Sequence, residues 1–332
     1  MSSDKRPTTL HDVARRAGVS IATVSKLINR QQRFSAGVEA RVLEAVEALS
    51  YRQNHAARSM VTGRTSTLGL AVLDIANPHF ASMVKGANRV ALGLGYSLMV
   101  VDLEECAGAE LQQLQSLANR VDGLAVSARV PPTAMEWLLQ QHLPLVWFGR
   151  FEQPGSACVS TDGRVAGELL GEHLLERGYR RVMYAAYAGS RWSADRAEGL
   201  ERALAEAGLG LRQCEASAPS LDGGRAAAMA WFEGRWRPDA VVGYNDLVAI
   251  GFMRELQSRG VKVPGEVAIA GIDNVPLCAL MQPELTSVDV RGAQQGESLI
   301  QELHGLVARE REPTAVTIEP QLVVRASTPH RS

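Results

Sequence analysis

Residues 9–29 contain two short helical patterns separated by a glycine, and this feature constrains the fold of the N-terminal segment more than any other. Apolar residues recur at i, i+3, i+4 and i+7 in the first pattern, which predicts a helix with one buried stripe. Thr9 and Asp12 have the spacing of an N-terminal capping box, with Asp in place of the usual Glu. Gly18 can take the left-handed conformation that ends a helix, and Ser20 can cap the next one.

The predicted unit is therefore a helix–turn–helix, a form in which a second helix is presented to the DNA major groove. A third helix is predicted from Ser35, its N-cap, to Leu49. The same helices could instead be a structural pair inside another helical domain. Val24 and Ile28 are predicted to face inward, so the outward face of the second helix holds Ile21, Ala22, Ser25 and Lys26.

Charge is distributed unevenly along the chain. Residues 1–64 contain 11 Lys and Arg against 5 Asp and Glu, a net charge of +6, whereas the remainder carries −7. A basic segment joined to an acidic body is typical of a phosphate-binding module attached to a domain that avoids DNA. A solvated basic surface without a partner is the alternative interpretation.

Composition narrows the class further. The chain of 332 residues is 46% apolar, and it has no run of 18 apolar residues that would predict a membrane span. The first residues lack the apolar stretch of a secretory signal, so we expect a cytoplasmic protein. The 4 cysteines lie far apart without metal-ligand spacing, so we expect reduced thiols, no metal and no cofactor.

From Thr67 onward, short apolar runs alternate with amphipathic helical patterns. This alternation predicts parallel sheets covered on both faces by helices, in two Rossmann-like lobes. A ligand is expected in the cleft between the lobes, at the carboxyl ends of the strands. The predicted strands are 68–73, 96–101, 121–126, 143–148, 181–186, 240–243 and 267–271, and the predicted helices are 79–94, 108–119, 132–142, 163–177, 193–207, 246–259 and 292–310.

Catalytic motifs are missing from this pattern. No Gly-x-Gly-x-x-Gly follows a predicted strand, and the sequence has no phosphate-binding Lys motif and no nucleophile elbow. An α/β enzyme is therefore disfavoured. A small-molecule-binding protein with the same two-lobed core but no DNA function remains the alternative.

The sequence resembles the lac repressor/gal repressor family of bacterial transcription regulators over nearly its whole length. The N-terminal match is Thr-Leu-His-Asp-Val-Ala-Arg-Arg-Ala-Gly-Val-Ser-x-x-Thr-Val-Ser-x-x-Ile-Asn from Thr9, followed by Asn54-x-x-Ala57-Arg58-Ser59 in the family's hinge helix. Further matches in order are the stretches 74–80, 196–199, 245–249, 271–273 and 283–288. Four residues depart from the family pattern, namely Gln53, Val38, Glu39 and Met60.

The resemblance implies an α/β protein with an N-terminal three-helix headpiece, a hinge helix, and two Rossmann-like lobes of periplasmic-binding-protein type. The expected domains are a headpiece at 1–52, a hinge and linker at 53–66, and an effector-binding and dimerisation core at 67–332. Lobe one is expected at about 67–160 plus 290–318, and lobe two at about 161–289 plus 319–328. The family also implies a homodimer on a pseudo-palindromic operator; little chain follows Arg325, so a dimer is favoured over a dimer of dimers.

The resemblance also places DNA-contacting residues. Ile21, Ala22 and Lys26 fall where the family's recognition helix reads base edges, although Lys26 could equally contact a phosphate. Met60 is expected to be an apolar wedge in the minor groove, or else to pack against the core. The remaining expected contacts are Ser20, Thr23 and Ser25 with phosphates, Asn29 as a contact or a cap, and Asn54 and Ala57 in the hinge.

For the effector, the family pattern nominates six residues at the facing edges of the lobes. Their carboxylates, amide, guanidinium groups and aromatic ring suit a polyhydroxyl ligand, such as a sugar or sugar acid. Each residue also has a structural alternative, such as a helix cap for Asp74 or a surface ion pair for Arg150. His79 and Trp192 are open between ligand contact and packing. The six are Asp74, Phe80, Arg150, Arg196, Asn245 and Asp273.

Overall fold

The computed structural model describes residues 8–28, 32–51, 64–103 and 108–331. The chain separates into two compact units, a headpiece (Met1–Thr65) and a core (Ser66–Ser332). Each unit is considered by itself. None of the helices in the described ranges is long and apolar enough to cross a membrane.

The headpiece contains the helices α1 (Leu10–Ala17), α2 (Ile21–Ile28) and α3 (Ala36–Ala48). They enclose a small core that needs little volume because three of its buried members are alanines. As predicted, α1 ends at a left-handed glycine. The buried residues are Val13, Ala14, Ala17, Val24, Val42 and Ala45.

The ends of the headpiece helices confirm the predicted caps. Thr9 and Asp12 form the reciprocal capping box at the start of α1, and Gly18 has φ +66° at its end. The hydroxyl of Ser20 accepts a hydrogen bond from the amide of Thr23 at 3.1 Å. Ser35 holds the N-cap position of α3, but its side chain makes no capping bond.

Lobe one of the core is built on a six-stranded sheet of order β11-β5-β4-β3-β1-β2, in which every pairing is parallel. The apolar strands are buried between helical layers, which explains their nearly continuous hydrophobic runs. The elements are β1 (Thr67–Val72), α4 (Pro78–Gly93), β2 (Ser97–Asp102), α5 (Glu110–Ala118), β3 (Gly123–Ser127), α6 (Pro132–Leu139), β4 (Leu145–Phe148), β5 (Ala157–Thr161), α12 (Gly292–Ala308) and β11 (Ala315–Ile318).

Lobe two has a second six-stranded sheet of order β12-β10-β9-β8-β6-β7, with β12 antiparallel to β10. Its elements are α7 (Gly163–Glu176), β6 (Val182–Ala186), α8 (Arg191–Glu206), β7 (Arg212–Glu215), α9 (Leu221–Ala227), α10 (Met229–Glu233), β8 (Ala240–Gly243), α11 (Asp246–Ser258), β9 (Ala268–Ile272), the 3-10 helix Pro276–Leu280, β10 (Thr286–Asp289) and β12 (Gln321–Val323).

Both sheets reverse their strand order beside the first strand, between β1 and β3 in lobe one and between β6 and β8 in lobe two. In an open parallel sheet, the loops at such a switch point diverge and leave a crevice at the carboxyl ends of the strands. The chain passes between the two sheets after β5, after β10 and after β11. The two Rossmann-like lobes of the predicted fold class are confirmed.

Candidate effector cleft and DNA-binding face

The residues that line the cleft follow the carboxyl ends of strands in both lobes. In lobe one, Asp74 follows β1 and Arg129 follows β3. In lobe two, Tyr244 follows β8 and Asp273 follows β9. The four side chains line one cavity of about 390 Å³, counted with the space open at its mouth.

Five of the six residues that the sequence nominates for the effector line this cavity, namely Asp74, Phe80, Arg196, Asn245 and Asp273. Arg150 does not line it. The half-exposed guanidinium of Arg150 lies 2.5 Å from a carboxylate oxygen of Glu152 and 3.7 Å from one of Asp195. This arrangement is the surface ion pair that the sequence left open as the alternative for Arg150.

Arg196 projects from α8 and is only 8% exposed. Its Nη1 donates to the carbonyl oxygen of Tyr244, and its Nη2 lies 3.7 Å from Oδ1 of Asp273. The guanidinium carbon is 4.8 Å from the centre of the Tyr244 ring, within cation–π range. Arg196 is therefore held in place by two loops of lobe two.

The position of Arg196 depends on a close approach between α7 and α8. A Cβ added at Gly199 would lie 2.0 Å from the carbonyl oxygen of Arg164, and one added at Gly167 would lie 2.2 Å from the carbonyl oxygen of Arg196. Only glycine fits at either position, because a larger residue would push the helices apart. The two glycines set how deeply α8 lies and so where Arg196 enters the cleft.

Asp273 has a positive φ of +128°, a conformation that is strained for a side chain larger than glycine. Burial raises the pKa of Asp273 to about 6, against the opposing effect of Arg196. Strain and an elevated pKa on a buried carboxylate beside a cavity are typical of functional sites.

Asp246 supports the cleft from the N-terminus of α11 without lining the cavity. Its carboxylate accepts hydrogen bonds from Ser287 Oγ at 2.6 Å, from the amide of Val275 at 2.8 Å and from Cys278 Sγ at 3.1 Å. Burial, and then the charge of Asp273, raise the pKa of Asp246 to about 6. The two carboxyls therefore act on each other across this part of lobe two.

Asn245 is the N-cap of α11. Its Oδ1 accepts from the amide of Val248 at 2.9 Å, and its Nδ2 donates to the carbonyl of Pro219 at 3.0 Å. Both ends of the amide are thus fixed before any ligand arrives, and the second Nδ2 hydrogen is the group that a ligand could accept.

The lobe-one wall of the cavity is formed by the turn before α4. Asp74 accepts from the amide of Ala76 at 2.8 Å, and Asn77 caps α4 by accepting from the amide of His79 at 3.0 Å. Burial has the largest effect on the pKa of Asp273, and the Asn77 side chain acts against it, so these residues of the two lobes interact. Phe80 is buried, with its ring 6.2 Å from that of Phe148.

His79 and Trp192, for which the sequence leaves ligand contact and packing as alternatives, both line the cavity. Burial, and secondarily the charge of Arg196, lower the pKa of His79 to about 4, so the imidazole is neutral near pH 7. Its Nδ1 has no hydrogen-bond partner within the described part of the chain.

The sequence did not nominate Arg129 or Tyr244. The sequence did contain a signal for Arg129, because it follows the predicted strand 121–126 as Asp74 follows the predicted strand 68–73. Tyr244 contributes a backbone carbonyl and a ring face to Arg196, and neither contact has a signature in a single sequence.

On the headpiece, α2 presents an exposed face with Ile21, Ala22 and Lys26. Ile21 is 46% exposed, which is unusual for a side chain of that size. The ammonium of Lys26 donates to Oε1 of Gln32 at 3.2 Å. Thr23 and Ser25 are half-buried at the edges of this face, and Ser20 is exposed at the start of α2.

The start of α3 explains one departure from the family pattern. Glu39 accepts a hydrogen bond from the amide of Phe34 at 3.1 Å. The carboxylate therefore holds the backbone directly before the N-cap Ser35, whose own side chain makes no capping bond. Asn29, Asn54, Ala57 and Met60, together with most of the expected hinge, lie outside the described residues.

Comparison with known proteins agrees with this geometry. Residues 9–54 match the model of the bacterial regulatory proteins, lacI family, and residues 172–328 match a periplasmic binding protein-like domain. The transcriptional regulator GalR of Escherichia coli K12 is 36% identical over 288 residues, covering 84% of this chain and 83% of GalR. The transcriptional repressor PurR of Photobacterium profundum is 28% identical, covering 96% of this chain and 98% of PurR.

Solved structures give the same fold. A lac repressor dimer bound to operator and the anti-inducer ONPF superposes with a TM-score of 0.86 at 23% identity, covering 98% of this chain and 100% of that one. A complex of the transcriptional regulator CelR with cellobiose gives 0.72 at 27% identity, covering 97% and 100%.

The chain belongs to the LacI family of bacterial regulatory proteins, as its headpiece motif predicted. It is a transcriptional regulator with a periplasmic-binding-protein-like core, and its relatives are regulators rather than enzymes.

Proposed function

We propose that the protein is a repressor that binds a pseudo-palindromic operator as a homodimer. Binding of a small neutral sugar between the lobes raises or lowers its affinity for the operator. The observation that carries this proposal is the joining of two sites in one chain. An exposed helix–turn–helix face is linked to a core in which five nominated side chains meet in one cavity.

The charge of the cavity favours an uncharged ligand. Two carboxylates, Asp74 and Asp273, face two guanidinium groups, Arg129 and Arg196, so the wall is formally neutral. Arg196 is already paired with Asp273, and Arg129 donates to the carbonyl of Gly189 at 3.4 Å. An anionic sugar acid would meet both carboxylates, whereas hydroxyl groups can donate to them and accept from the guanidinium groups.

Other polar atoms suit hydroxyl groups equally well. The imidazole of His79, which is neutral near pH 7, lines the cavity. Phe80, Trp192 and Tyr244 add apolar and aromatic surface, which is the usual complement to a few fixed polar groups in a sugar site. Ribose and cellobiose bound to structural neighbours belong to this ligand class.

In this proposal the domains are the headpiece at 1–52, the hinge at 53–66 and the core at 67–332, with the lobe boundaries given above. Ile21, Ala22 and Lys26 read base edges, while Ser20, Thr23 and Ser25 position the headpiece on phosphates. Met60, with Asn54 and Ala57, enters the minor groove from the hinge. The protein acts in the cytoplasm, where operator DNA is accessible.

The test is a selection from a random-sequence duplex library with the full-length protein, followed by anisotropy titrations of the enriched duplex at two salt concentrations. We expect a pseudo-palindrome whose binding weakens steeply with salt, and a loss of enrichment for Lys26→Ala. Lys85→Ala, which removes the same charge from an exposed position in the core, is the matched control. Failure to enrich any sequence, both without ligand and with galactose, glucose and ribose present, would contradict DNA-specific function and favour a small-molecule-binding protein.

A further inference from the structure

Trp192 extends from the start of α8 in lobe two onto the backbone of lobe one. A Cβ added at Gly149, directly after β4, would lie 2.7 Å from Cζ2 and 2.9 Å from Nε1 of the indole. Real Cβ atoms do not come this close, so position 149 accepts only glycine while the indole stays there. Gly149 also has a positive φ of +93°, so the backbone itself favours glycine.

Arg129 adds a second contact between lobe one and the indole. Its guanidinium carbon lies 5.4 Å from the centre of the Trp192 ring and 5.6 Å from that of Tyr187. Both distances are within cation–π range. Trp192 is thus fixed against lobe one by a backbone contact and a side-chain contact, although it belongs to lobe two.

The indole stands between two cavities. One is the polar chamber described above, which includes Asp74, Asn245 and Asp273. The other, here called the Phe148 chamber, is lined by Phe148, Gly149, Thr161 and Gln295 among others and has an open volume of about 470 Å³. His79, Trp192 and Arg196 line both chambers. These three side chains lie where the chambers adjoin and are called the partition here.

Of the three partition residues, Trp192 has the largest side chain. Arg196 is held by Tyr244 and Asp273, and removing it would take away a polar contact of the ligand as well as part of the wall. The position of Trp192 depends on the lack of a side chain at Gly149. The partition can therefore be altered by a substitution at Trp192 in lobe two or at Gly149 in lobe one.

We propose that Trp192, packed against Gly149, is the residue that limits the size of the ligand. The polar chamber then admits a single neutral sugar ring, and the indole excludes a second ring from the Phe148 chamber. This inference rests on the proposed function, since it assumes a sugar in the cleft. Removing the indole joins the two chambers and makes room for a two-ring ligand.

The experiment measures calorimetric affinities of the full-length protein for galactose, glucose and ribose and for the disaccharides lactose and cellobiose. The unaltered protein is expected to bind its best single-ring sugar at least about tenfold more tightly than either disaccharide. Trp192→Ala is expected to lower this ratio by about tenfold or more. Gly149→Ala, which pushes the indole away from the other side, is expected to change the ratio in the same direction.

Gly155→Ala is the matched control. Gly155 also has a positive φ, +76°, but a Cβ there would meet no atom within 4 Å. It carries the same kind of backbone strain without the clash, so the ratio should stay within about twofold of that of the unaltered protein. Thermal unfolding checks that each variant folds. Trp192→Phe, which keeps an aromatic ring but shortens it, replaces Trp192→Ala if the latter does not fold.

An unchanged ratio in both the Trp192 and the Gly149 variants would overturn the partition while leaving the proposed sugar ligand intact. Equal affinity of the unaltered protein for one-ring and two-ring sugars would also overturn it. If none of the five sugars binds, the sugar class of the proposed function is wrong, and this inference is wrong with it.

Discussion

Nη2 of Arg196 lies 3.7 Å from Oδ1 of Asp273, which joins the first turns of α8 to the loop after β9. Both side chains are more than nine-tenths buried, so water screens neither charge. A buried charge whose partner is removed is costly, so the carboxylate of Asp273 depends on Arg196 for its ionised form. This pair fixes one wall of the proposed effector cavity before any ligand binds.

Replacing Arg196 with alanine should abolish the effector response while sparing the headpiece. We expect effector affinity to fall at least about tenfold, because a charged hydrogen-bond donor is lost from the cavity. The free energy of unfolding should fall by about 3 kcal/mol, because Asp273 loses its buried partner. Calorimetry and denaturant unfolding measure the two effects.

Arg202→Ala on the same helix is the control for Arg196→Ala. The Arg202 side chain is 72% exposed and pairs with Glu168 at 3.0 Å on the surface. Such exposed pairs contribute little to stability, so effector affinity should not change. Equal effects of the two substitutions on effector affinity would remove Arg196 from the site.

His79→Gln should make the core less sensitive to acid. Because burial lowers the pKa of His79 to about 4, the folded imidazole stays neutral where the unfolded one takes up a proton below about 6.5. The unfolded state then binds more protons, so stability present above 6.5 is lost as the pH falls toward 4. Unaltered protein should lose about 2 kcal/mol relative to His79→Gln between about pH 7 and pH 5.

Urea unfolding at several pH values measures this difference. Asp246 and Asp273 titrate in both proteins, and their raised pKa values act in the opposite direction, since they favour the folded state as the pH falls. Their contribution cancels when the two proteins are compared. Parallel stability curves for the two proteins would show that the imidazole is not kept neutral by burial.

Effector affinity should itself decline in mild acid. With the pKa of Asp273 raised to about 6, only about a tenth of the carboxyl is ionised at about pH 5. If the carboxylate accepts a ligand hydroxyl, affinity falls about tenfold between about pH 7 and pH 5. Calorimetry with the tightest sugar measures this, and His79→Gln should retain the decline because His79 is neutral throughout. A flat profile would exclude Asp273 as the acceptor.

Alanine substitutions at two glycines in the headpiece should change its free energy of unfolding in opposite directions. A Cβ would meet nothing within 4 Å at Gly18 or Gly37, but only Gly18 has a positive φ, +66°. Gly18→Ala should therefore destabilise the headpiece by about 1 kcal/mol through backbone strain. Gly37→Ala, inside α3, should stabilise it by about 0.5 kcal/mol. Hydrogen exchange of amides in α1–α3 distinguishes the two, and shifts of the same sign would contradict the left-handed turn.

Much of the fold was predictable because its strongest signals are local. The cap of α1, the turn at Gly18 and the long buried strands such as β1 follow from residue spacing alone. The sequence pattern did not predict β5, β7, β10, β11 or β12. These strands have five residues or fewer and mix apolar with polar residues, and β7 (Arg212–Glu215) is largely exposed. Their apolar pattern is therefore weak, and their pairing in the sheet defines them.

The site also contains some residues that the sequence predicts and others that it does not. Asp74 and Asp273 were predictable because each follows a strand within a family motif. The contact between the Trp192 indole and Gly149 was not predictable, because it joins two lobes through a backbone position that carries no side chain. Arg150 also follows a strand, yet its side chain pairs with Glu152 and Asp195 outside the cavity. Spacing along the chain places the Cα atom but not the direction of a long side chain.

Coupling between the cleft and the headpiece is tested most directly by a pair of titrations. The first measures the affinity of the full-length protein for the selected operator with and without saturating effector. The second measures its affinity for the effector with and without saturating operator. Because the coupling free energy is shared by both ligands, operator affinity should change at least about fivefold and effector affinity by the same factor. An operator affinity unaffected by a sugar that demonstrably binds the core would contradict allosteric control.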